Sequence, residues 1–371
     1  MSPNAKTNED LGTEVMSPLK LARAPAADST SRSRQKNCGS TVIGIILAIV
    51  LVLYSLRLGA FSLSWPDVWA AVQGQGDPNH EVIIRELRLP RALMGALCGG
   101  VLAASGVIAQ AILRNPMAAP SLIGISSGAG FFAAIAIVIP LPFQLPFLWF
   151  QPVAAFTGSL LSAIAVFGLA RSAGKTDTGT ILLAGLAINS LTGAGTGLLT
   201  FLANDPQLRN ISFWNLGSVA AAEWPQIGVL AFFSVPLLCS ILTSGNVLNA
   251  WMFGEDEAQL LGVNVEKQKR LQMLTIALAV GAAVSFTGVI GFVGLIVPHL
   301  LRFVLGSDHR VLLAQSFIWG AVLLLVADLV SRVIVMPLEL PIGIVTALIG
   351  APYFIVLLKQ QYKTRRQHDN A

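Results

Sequence analysis

Long apolar stretches constrain this 371-residue chain more than any other feature. Each is roughly 20 residues long, the length that an α-helix needs to cross a bilayer. Because backbone polar groups must be hydrogen-bonded inside lipid, such stretches form helices. Charged residues make up 12% of the chain, against roughly 25% in a soluble domain. The sequence therefore predicts an all-α, polytopic membrane protein and excludes an ordinary cytosolic enzyme.

One apolar region is long enough to hold two spans. Region 271–301 has 31 residues without Asp, Glu, Lys or Arg, and basic residues flank both ends. A single crossing would put one basic group outside, whereas two short crossings that turn near Ser285–Gly291 keep both inside. We therefore predict ten transmembrane helices, at 42–60, 92–113, 121–140, 151–170, 180–203, 226–244, two within 271–301, 311–335 and 342–358.

The distribution of basic residues predicts the orientation. With ten spans and the N-terminus inside, 18 of the 24 Lys and Arg residues fall on the inner side, as the positive-inside rule requires. We expect a multi-pass protein of the bacterial cytoplasmic (inner) membrane with both termini cytoplasmic. Residues 1–41 are polar and predict a disordered cytoplasmic tail, residues 42–358 form the transmembrane domain, and residues 359–371 form a cytoplasmic C-terminal tail.

No motif predicts catalysis, a cofactor or a metal site. The segment from Gly168 to Thr176 has five residues between its glycines, whereas a phosphate-binding loop needs four and follows a strand. We therefore do not expect this chain to hydrolyse ATP. The three cysteines and four histidines lack metal-ligand spacing. The net charge of +5 is explained by basic residues beside the spans, so nucleic acid is not expected as a partner.

A run of small and polar residues occupies the fifth predicted span. Residues 184–200 combine glycines and alanines with Asn189, Ser190, Thr192, Thr196 and Thr200. Small residues let helices approach closely, and polar side chains bond across them. Helix packing is therefore one interpretation of this run. The other is the wall of a polar path with room for a bulky cargo.

Charged residues near the span ends also leave two interpretations open. Arg88 and Arg91, at the outer end of the second span, contact lipid headgroups or accept carboxylates from a partner. Asp328 and Arg332 are spaced to pair on one helix face, with Arg332 near the outer mouth. The inner segment 254–263 begins with acidic residues, which suit a helix N-terminus. It is either a solvated loop helix or a docking site for a cytosolic partner.

Eight motifs together resemble the FecCD family, the membrane permeases of ABC importers for iron chelates, haem and cobalamin. The resemblance runs from about residue 45 to residue 358. The motifs are Arg88 through Arg91, Ser105 through Gln110, Arg114 through Ala118, Gly124 through Gly128, Gly254 through Val263, Gly288 through His299, Ser307 through Arg310, and Leu338 through Pro352.

The resemblance implies a ten-helix, cobalamin-permease-like subunit that forms a homodimer around one central path. Two cytosolic ATPase subunits would bind below, and a periplasmic or lipid-anchored substrate-binding protein above. The implied binding-protein contacts are Arg88, Arg91 and Arg332. The implied ATPase coupling residues are Gly254, Glu255, Glu257, Ala258, Leu261 and Gly262. The inner gate would comprise Asn115, Pro116, Met117, Asp177 and Thr178, and the fifth and tenth spans would line the path.

The segment 207–218 bears on the cargo, because it is similar to that of haem permeases within the family. It favours haem over a ferric siderophore, with cobalamin behind both. An ion-coupled secondary transporter is the alternative class, but it needs intramembrane acids, and only Asp328 and Glu339 qualify. A purely structural scaffold is disfavoured by the polar fifth span. The long N-terminal tail departs from the family pattern and has no assigned role.

Overall fold

The computed structural model describes residues 26–59, 61–139, 147–172 and 175–369, which are predominantly helical. A π-helical segment (Ile83–Arg88) and a short 3₁₀ helix (Pro120–Ile123) adjoin the second and third predicted spans. The α-helices are α1 (Ala26–Arg57), α2 (Trp65–Gln73), α3 (Pro78–Val82), α4 (Leu89–Ile112), α5 (Ile125–Val138), α6 (Phe147–Leu169), α7 (Thr178–Leu202), α8 (Asp205–Leu216), α9 (Trp224–Thr243), α10 (Gly245–Trp251), α11 (Glu255–Leu260), α12 (Val265–Thr287), α13 (Val293–Leu305), α14 (His309–Val333) and α15 (Ile342–Asp369).

Seven helical segments are long and apolar enough to cross a membrane, judged by length and composition. They include most of α1 and α6 and all of α4, α7, α9, α12 and α14. Three shorter apolar helices, Ile125–Val138, Val293–Leu305 and Ile342–Leu357, coincide with the remaining predicted spans. The all-α, polytopic fold is confirmed, whereas full crossing by the three shorter helices stays a prediction.

The region 271–301 contains two helices, as its length and flanking charges predict. Helix α12 ends at Thr287 and α13 begins at Val293. Gly288 and Phe292, on either side of the break, both have positive φ angles. A right-handed helix needs negative φ angles, so the chain turns at these two residues and the helix does not continue through them.

Helix α4 is buried along most of its length and lies at the centre of the bundle. Its glycines let neighbouring backbones approach it closely. A Cβ atom on Gly106 would lie 1.9 Å from the carbonyl oxygen of Gly294 in α13, and one on Gly99 would lie 2.3 Å from that of Gly320 in α14. Such contacts are typical of helix packing in membranes. The hydrophobic effect does not drive helices together in lipid, so small residues that allow close van der Waals packing stabilise the interface instead.

The helices at both ends of the chain extend beyond the predicted membrane boundaries. Helix α1 begins at Ala26, so residues 26–41, which the sequence places in a disordered tail, are helical in the structure. Ala, Arg, Gln and Lys are good helix formers, and adding residues to an existing helix is far easier than nucleating one. Residues 1–25 lie outside the described part of the chain. Helix α15 continues to Asp369, so the predicted C-terminal tail is helical up to that residue.

The segment that only superficially matched a phosphate-binding loop forms a small hairpin. Strands β1 (Arg171–Ser172) and β2 (Lys175–Thr176) pair antiparallel, with Arg171 opposite Thr176. Residues 173 and 174 between them lie outside the described part of the chain. The hairpin leads directly into α7.

Candidate functional site

A neutral, polar cavity lies beside α7. Its volume is about 440 Å³, and it extends between the start of α5 and the middle of α7. Among the described residues its lining carries hydroxyl and amide groups but no charge. The lining residues are Ser121, Leu122, Ser126, Ser127, Gly130, Asn189, Gly193, Thr196, Asn215 and Val289.

The structure divides the five predicted path residues into three groups. Asn189 and Thr196 line the polar cavity. Thr192 lies on a neighbouring apolar groove that Phe131 and other apolar side chains line. Ser190 and Thr200 belong to neither lining. Asn215, on α8, completes the polar cavity and was not predicted.

Four hydroxyl groups in the middle and second half of α7 bond to carbonyl groups of their own helix. Ser190, Thr192, Thr196 and Thr200 each donate to the carbonyl oxygen four residues earlier, at 2.7–2.9 Å. This back-bonding satisfies the hydroxyl without a partner on another helix. These four hydrogen bonds therefore lie within α7 and do not join it to another helix.

Asn189 is the residue that links α7 to its neighbours. Its Nδ2 atom donates to the carbonyl oxygen of Ser121 at 3.3 Å, and its Oδ1 atom accepts from the Ser127 hydroxyl at 2.5 Å. Ser127 lies in the first turn of α5, next to the 3₁₀ helix. Asn189 therefore fixes one wall of the polar cavity against the other.

A second cavity, rich in aromatic side chains, lies at the predicted outer side. Its volume is about 420 Å³, and helix α8 contributes Asn210, Phe213 and Trp214 to it. Phe150, Gln151 and Phe286 come from α6 and α12. The segment 207–218, singled out in the sequence for its bearing on cargo, thus supplies walls to both cavities.

Arg88, expected from the sequence to contact a binding protein, is engaged within the chain. Its side chain is buried, with 7% of the residue exposed. The guanidinium donates to the carbonyl oxygens of Leu56, Arg57 and Phe61. Leu56 and Arg57 end α1, where carbonyl groups lack helical partners. Arg88 therefore caps α1, which the sequence could not reveal because the two segments are over 25 residues apart.

Arg332, which also has an expected docking role, is buried and engaged within the chain as well. It pairs with Asp328, four residues earlier, as the helical spacing predicts. It also donates to the carbonyl oxygen of Ser55 at 3.2 Å. Arg91 lies in the same network, bonded to Asp328 at 2.9 Å and to Glu339 at 2.7 Å. Glu339, which is 39% exposed, is the member of this network that reaches the surface.

The predicted coupling segment forms the short helix α11 at the predicted inner side. Gly254 precedes it with φ of 134°, and a Cβ atom there would collide with the Glu257 carboxylate. Ala258 is fully buried and anchors the helix, and Gly262 leaves it with φ of 83°. Leu261, just after the helix, is 68% exposed.

Exposed apolar side chains lie just before α11 and at its end, in the connection between α10 and α12. Leu260 is 88% exposed, and Met252 and Phe253 just before the helix are exposed as well. Exposed apolar patches of this kind mark interaction sites. The inner patch is defined as Met252, Phe253, Leu260 and Leu261, which all lie outside the apolar spans.

The two segments predicted to form the inner gate lie next to each other. Asn115 turns the chain after α4, because its Oδ1 atom accepts from the backbone nitrogen of Met117 at 2.9 Å across Pro116. Thr178, the first residue of α7, donates to the carbonyl oxygen of Ile112 at 3.5 Å. The end of α4 therefore contacts the start of α7, and the predicted gate turn (residues 114–117) follows shortly after that end of α4.

Asp177 fixes the start of α7. Its carboxylate accepts from the Thr180 hydroxyl at 2.8 Å and from the Thr180 backbone nitrogen at 2.7 Å. These hydrogen bonds hold the pKa of Asp177 below its ordinary value of 3.8. An ionised carboxylate at a helix N-terminus also interacts favourably with the helix dipole. Asp177 thus links the β1–β2 hairpin to α7.

A family model described as the FecCD transport family matches residues 47–360. The chain belongs to this family. The FecCD permease described here is 42% identical to the hemin transport system permease protein HmuU of Yersinia pestis over 324 residues, which covers 86% of this chain and 95% of HmuU. It is 41% identical to the cobalamin import system permease protein BtuC of Halobacterium salinarum, covering 85% and 84% of the two chains.

The fold of this FecCD permease also matches a solved structure. That structure, titled as an inward-facing conformation of a transporter of the metal-chelate ABC type, superposes with a TM-score of 0.75 at 34% identity. The match covers 86% of this chain and 98% of the other. The chain is therefore a multi-pass inner-membrane permease subunit of an ABC importer. Such permeases work with separate ATPase subunits and a substrate-binding protein, so ATP hydrolysis lies on another chain.

Proposed function

We propose that this permease carries haem, with a ferric siderophore as the next candidate. The observation that carries the proposal is the outer aromatic cavity, where Phe150, Phe213, Trp214 and Phe286 provide flat apolar walls. Aromatic side chains stack on planar rings in offset or edge-on arrangements. The similarity to a hemin permease at 42% identity supports the same cargo class.

Cobalamin is the third candidate, supported by a cobalamin permease that is 41% identical to this chain. The candidate cargoes are separated by reconstituting the permease with its ATPase and binding protein in proteoliposomes. We expect ATP-dependent accumulation of haem above that of cyanocobalamin or a ferric siderophore. Preferential accumulation of cyanocobalamin would replace haem with cobalamin as the cargo.

We propose the inner patch as the contact with the ATPase subunit. Its apolar side chains would be buried by a docked partner, and the three acids of the first turn of α11 would surround them with charge. Leu261→Asp should abolish co-purification of the ATPase. Gln259→Asp, on an exposed residue of the same helix, adds the same charge beside the patch and should leave co-purification intact. Equal binding by both variants would contradict this surface.

At the outer side, we propose that the binding protein contacts a cleft of about 390 Å³ that Arg91 and Glu339 border. Arg88 and Arg332 contribute to its wall but are committed to internal carbonyl oxygens and to Asp328. An incoming carboxylate would therefore meet Arg91 first, in competition with Glu339. Arg91→Gln should weaken binding-protein association measured on the reconstituted complex and leave ATPase co-purification unchanged. Unchanged association would remove the cleft as the docking site.

We propose a homodimer around a path that the polar cavity lines in each copy, with both termini cytoplasmic. In this arrangement, nucleotide binding to the ATPase pair favours one permease conformation through the inner patch. A neutral lining suits a cargo that must leave, because it offers only weak contacts. The ion-coupled alternative is disfavoured, since the two candidate acids, Asp328 and Glu339, are already paired with Arg91 and Arg332.

A further inference from the structure

A buried lysine joins α11 to the base of α7. Lys269, on α12, has a side chain that is 2% exposed. Its Nζ atom donates to the Glu255 carboxylate and to the carbonyl oxygen of Thr176, each at 2.7 Å. Glu255 is the first residue of α11, and Thr176 immediately precedes Asp177, the N-cap of α7. One ammonium group therefore touches both the helix of the inner patch and the segment that starts the path helix.

Further contacts hold the same junction together. Glu266, three residues before Lys269, accepts from the Thr176 backbone nitrogen at 3.1 Å and from its hydroxyl at 2.6 Å. The Glu255 oxygen that binds Lys269 also lies 3.6 Å from Arg114, which begins the gate turn. Glu255 is thus shared between Arg114 of the gate turn and Lys269. Thr176 of β2 is bonded to two residues of α12, Glu266 and Lys269.

Burial makes this lysine sensitive to a displacement of α11. A buried ammonium group is tolerated when it is paired and strongly destabilising when its partner is removed. If α11 moved without Lys269, the charge would keep only the Thr176 carbonyl as a partner. Movement of α11 together with Lys269 and Thr176 avoids that state, and it displaces the N-terminus of α7 with them.

We propose that Lys269 is the positioning residue that transmits movement of α11 to α7, and hence from the ATPase to the path. This inference rests on the proposed docking of the ATPase at the inner patch. It assigns Lys269 no contact with ATP or cargo. Lys267, two residues earlier on α12, is exposed and offers a matched control for the loss of one lysine.

The test uses the complex of permease and ATPase in proteoliposomes. A cysteine replaces Ser190, an exposed residue of α7, in a chain without the exposed Cys38 and Cys239. The rate at which a thiol reagent labels this cysteine is measured with and without ATP, beside the rate of ATP hydrolysis. In the parent chain and in Lys267→Met, ATP should change the labelling rate. In Lys269→Met, hydrolysis should persist while the effect of ATP on labelling is lost.

Two further variants decide between transmission and simple stability. Lys269→Arg retains the charge and should retain the effect of ATP on labelling, whereas Glu255→Gln should lose it. An unchanged effect of ATP in Lys269→Met or Glu255→Gln would overturn the proposal. If neither of those two assembled with the ATPase, the pair would be a folding or docking contact and the proposal would be rejected. Failure of the proposed function differs, because the parent chain itself would then show no ATPase association and no effect of ATP.

Discussion

Arg91 and Asp328 form an ion pair of 2.9 Å although 237 residues separate them in the sequence. The pair joins the start of α4 to the end of α14. Asp328 also binds Arg332, and Arg91 also binds Glu339. Charged groups of alternating sign therefore follow one another through the predicted outer side of the bundle. Pairing lowers the unfavourable free energy of placing ionised groups at membrane depth.

Replacing Asp328 should destabilise the folded protein strongly. Asp328→Asn removes the acidic partner of Arg332, whose side chain is only 3% exposed, and leaves Arg91 with Glu339 alone. Removing one member of a buried ion pair typically lowers the free energy of unfolding by about 3–5 kcal/mol. The measurement is thermal unfolding of the purified protein in detergent, with the midpoint compared with that of the parent chain.

Glu339→Gln is the matched control for that substitution. It removes the other acidic partner of Arg91, but Glu339 is 39% exposed, and exposed ion pairs contribute at most about 1 kcal/mol. We expect a small shift in the unfolding midpoint. Equal shifts in the two variants would contradict the distinction between the buried and the exposed pair.

The sequence predicted part of this network. The pairing of Asp328 with Arg332 is confirmed, because four residues along one helix always place two side chains on the same face. The contact between Arg91 and Asp328 was not predictable, since it depends on how α4 packs against α14. The internal contacts of Arg88 and Arg332 with carbonyl groups of the α1 region were not predictable for the same reason. Position at a span end indicates depth in the membrane, and burial is decided by neighbouring helices.

Two glycines of α4 should respond oppositely to the same substitution. Gly106→Ala places a methyl group 1.9 Å from the Gly294 carbonyl oxygen, so α4 and α13 must separate. Overpacking of this kind usually destabilises by about 1–3 kcal/mol. Gly95→Ala meets no atom within 4 Å and should stabilise the helix by roughly 0.8–1 kcal/mol, the usual difference between Ala and Gly.

The two unfolding midpoints should therefore move in opposite directions, measured under one set of detergent conditions. A midpoint of Gly106→Ala that matched the parent chain would mean that the close approach of α4 and α13 is not tight in solution. The sequence showed glycines in α4, but their partners on α13 and α14 follow only from the tertiary structure. It did predict the division of 271–301 into two helices, because flanking charges constrain a segment without reference to its neighbours.

A side chain added to the polar cavity should obstruct transport without affecting the fold. Gly193 lines that cavity, and a Cβ atom there meets nothing within 4 Å. Gly193→Leu should therefore keep the unfolding midpoint and reduce ATP-dependent haem uptake by the reconstituted complex. Gly197→Leu, at a position that also has open space but does not belong to the lining, should transport like the parent chain. If both variants transported normally, the polar cavity would not belong to the path.

The start of α14 gives the protein a defined sensitivity to acid. Asp308, in the loop before this helix, accepts from the Arg310 guanidinium at 2.6–3.0 Å and from the Asn249 amide at 2.8 Å. The hydrogen bonds from Arg310, together with the one from Asn249, lower the pKa of Asp308 from 3.8 to about 2. A carboxylate whose folded pKa is lowered stabilises the protein above its unfolded pKa, and that stabilisation is lost as pH falls towards the folded value.

Asp308→Asn should accordingly lower the unfolding midpoint above pH 3.8, and its difference from the parent chain should shrink as pH approaches about 2. The measurement is thermal unfolding in detergent over this pH range. Asp256→Asn, at an exposed position of α11, is the control and should show no comparable convergence. A difference between Asp308→Asn and the parent chain that stayed constant down to pH 2 would mean that the Asp308 carboxylate is not held by Arg310 and Asn249 in the folded protein.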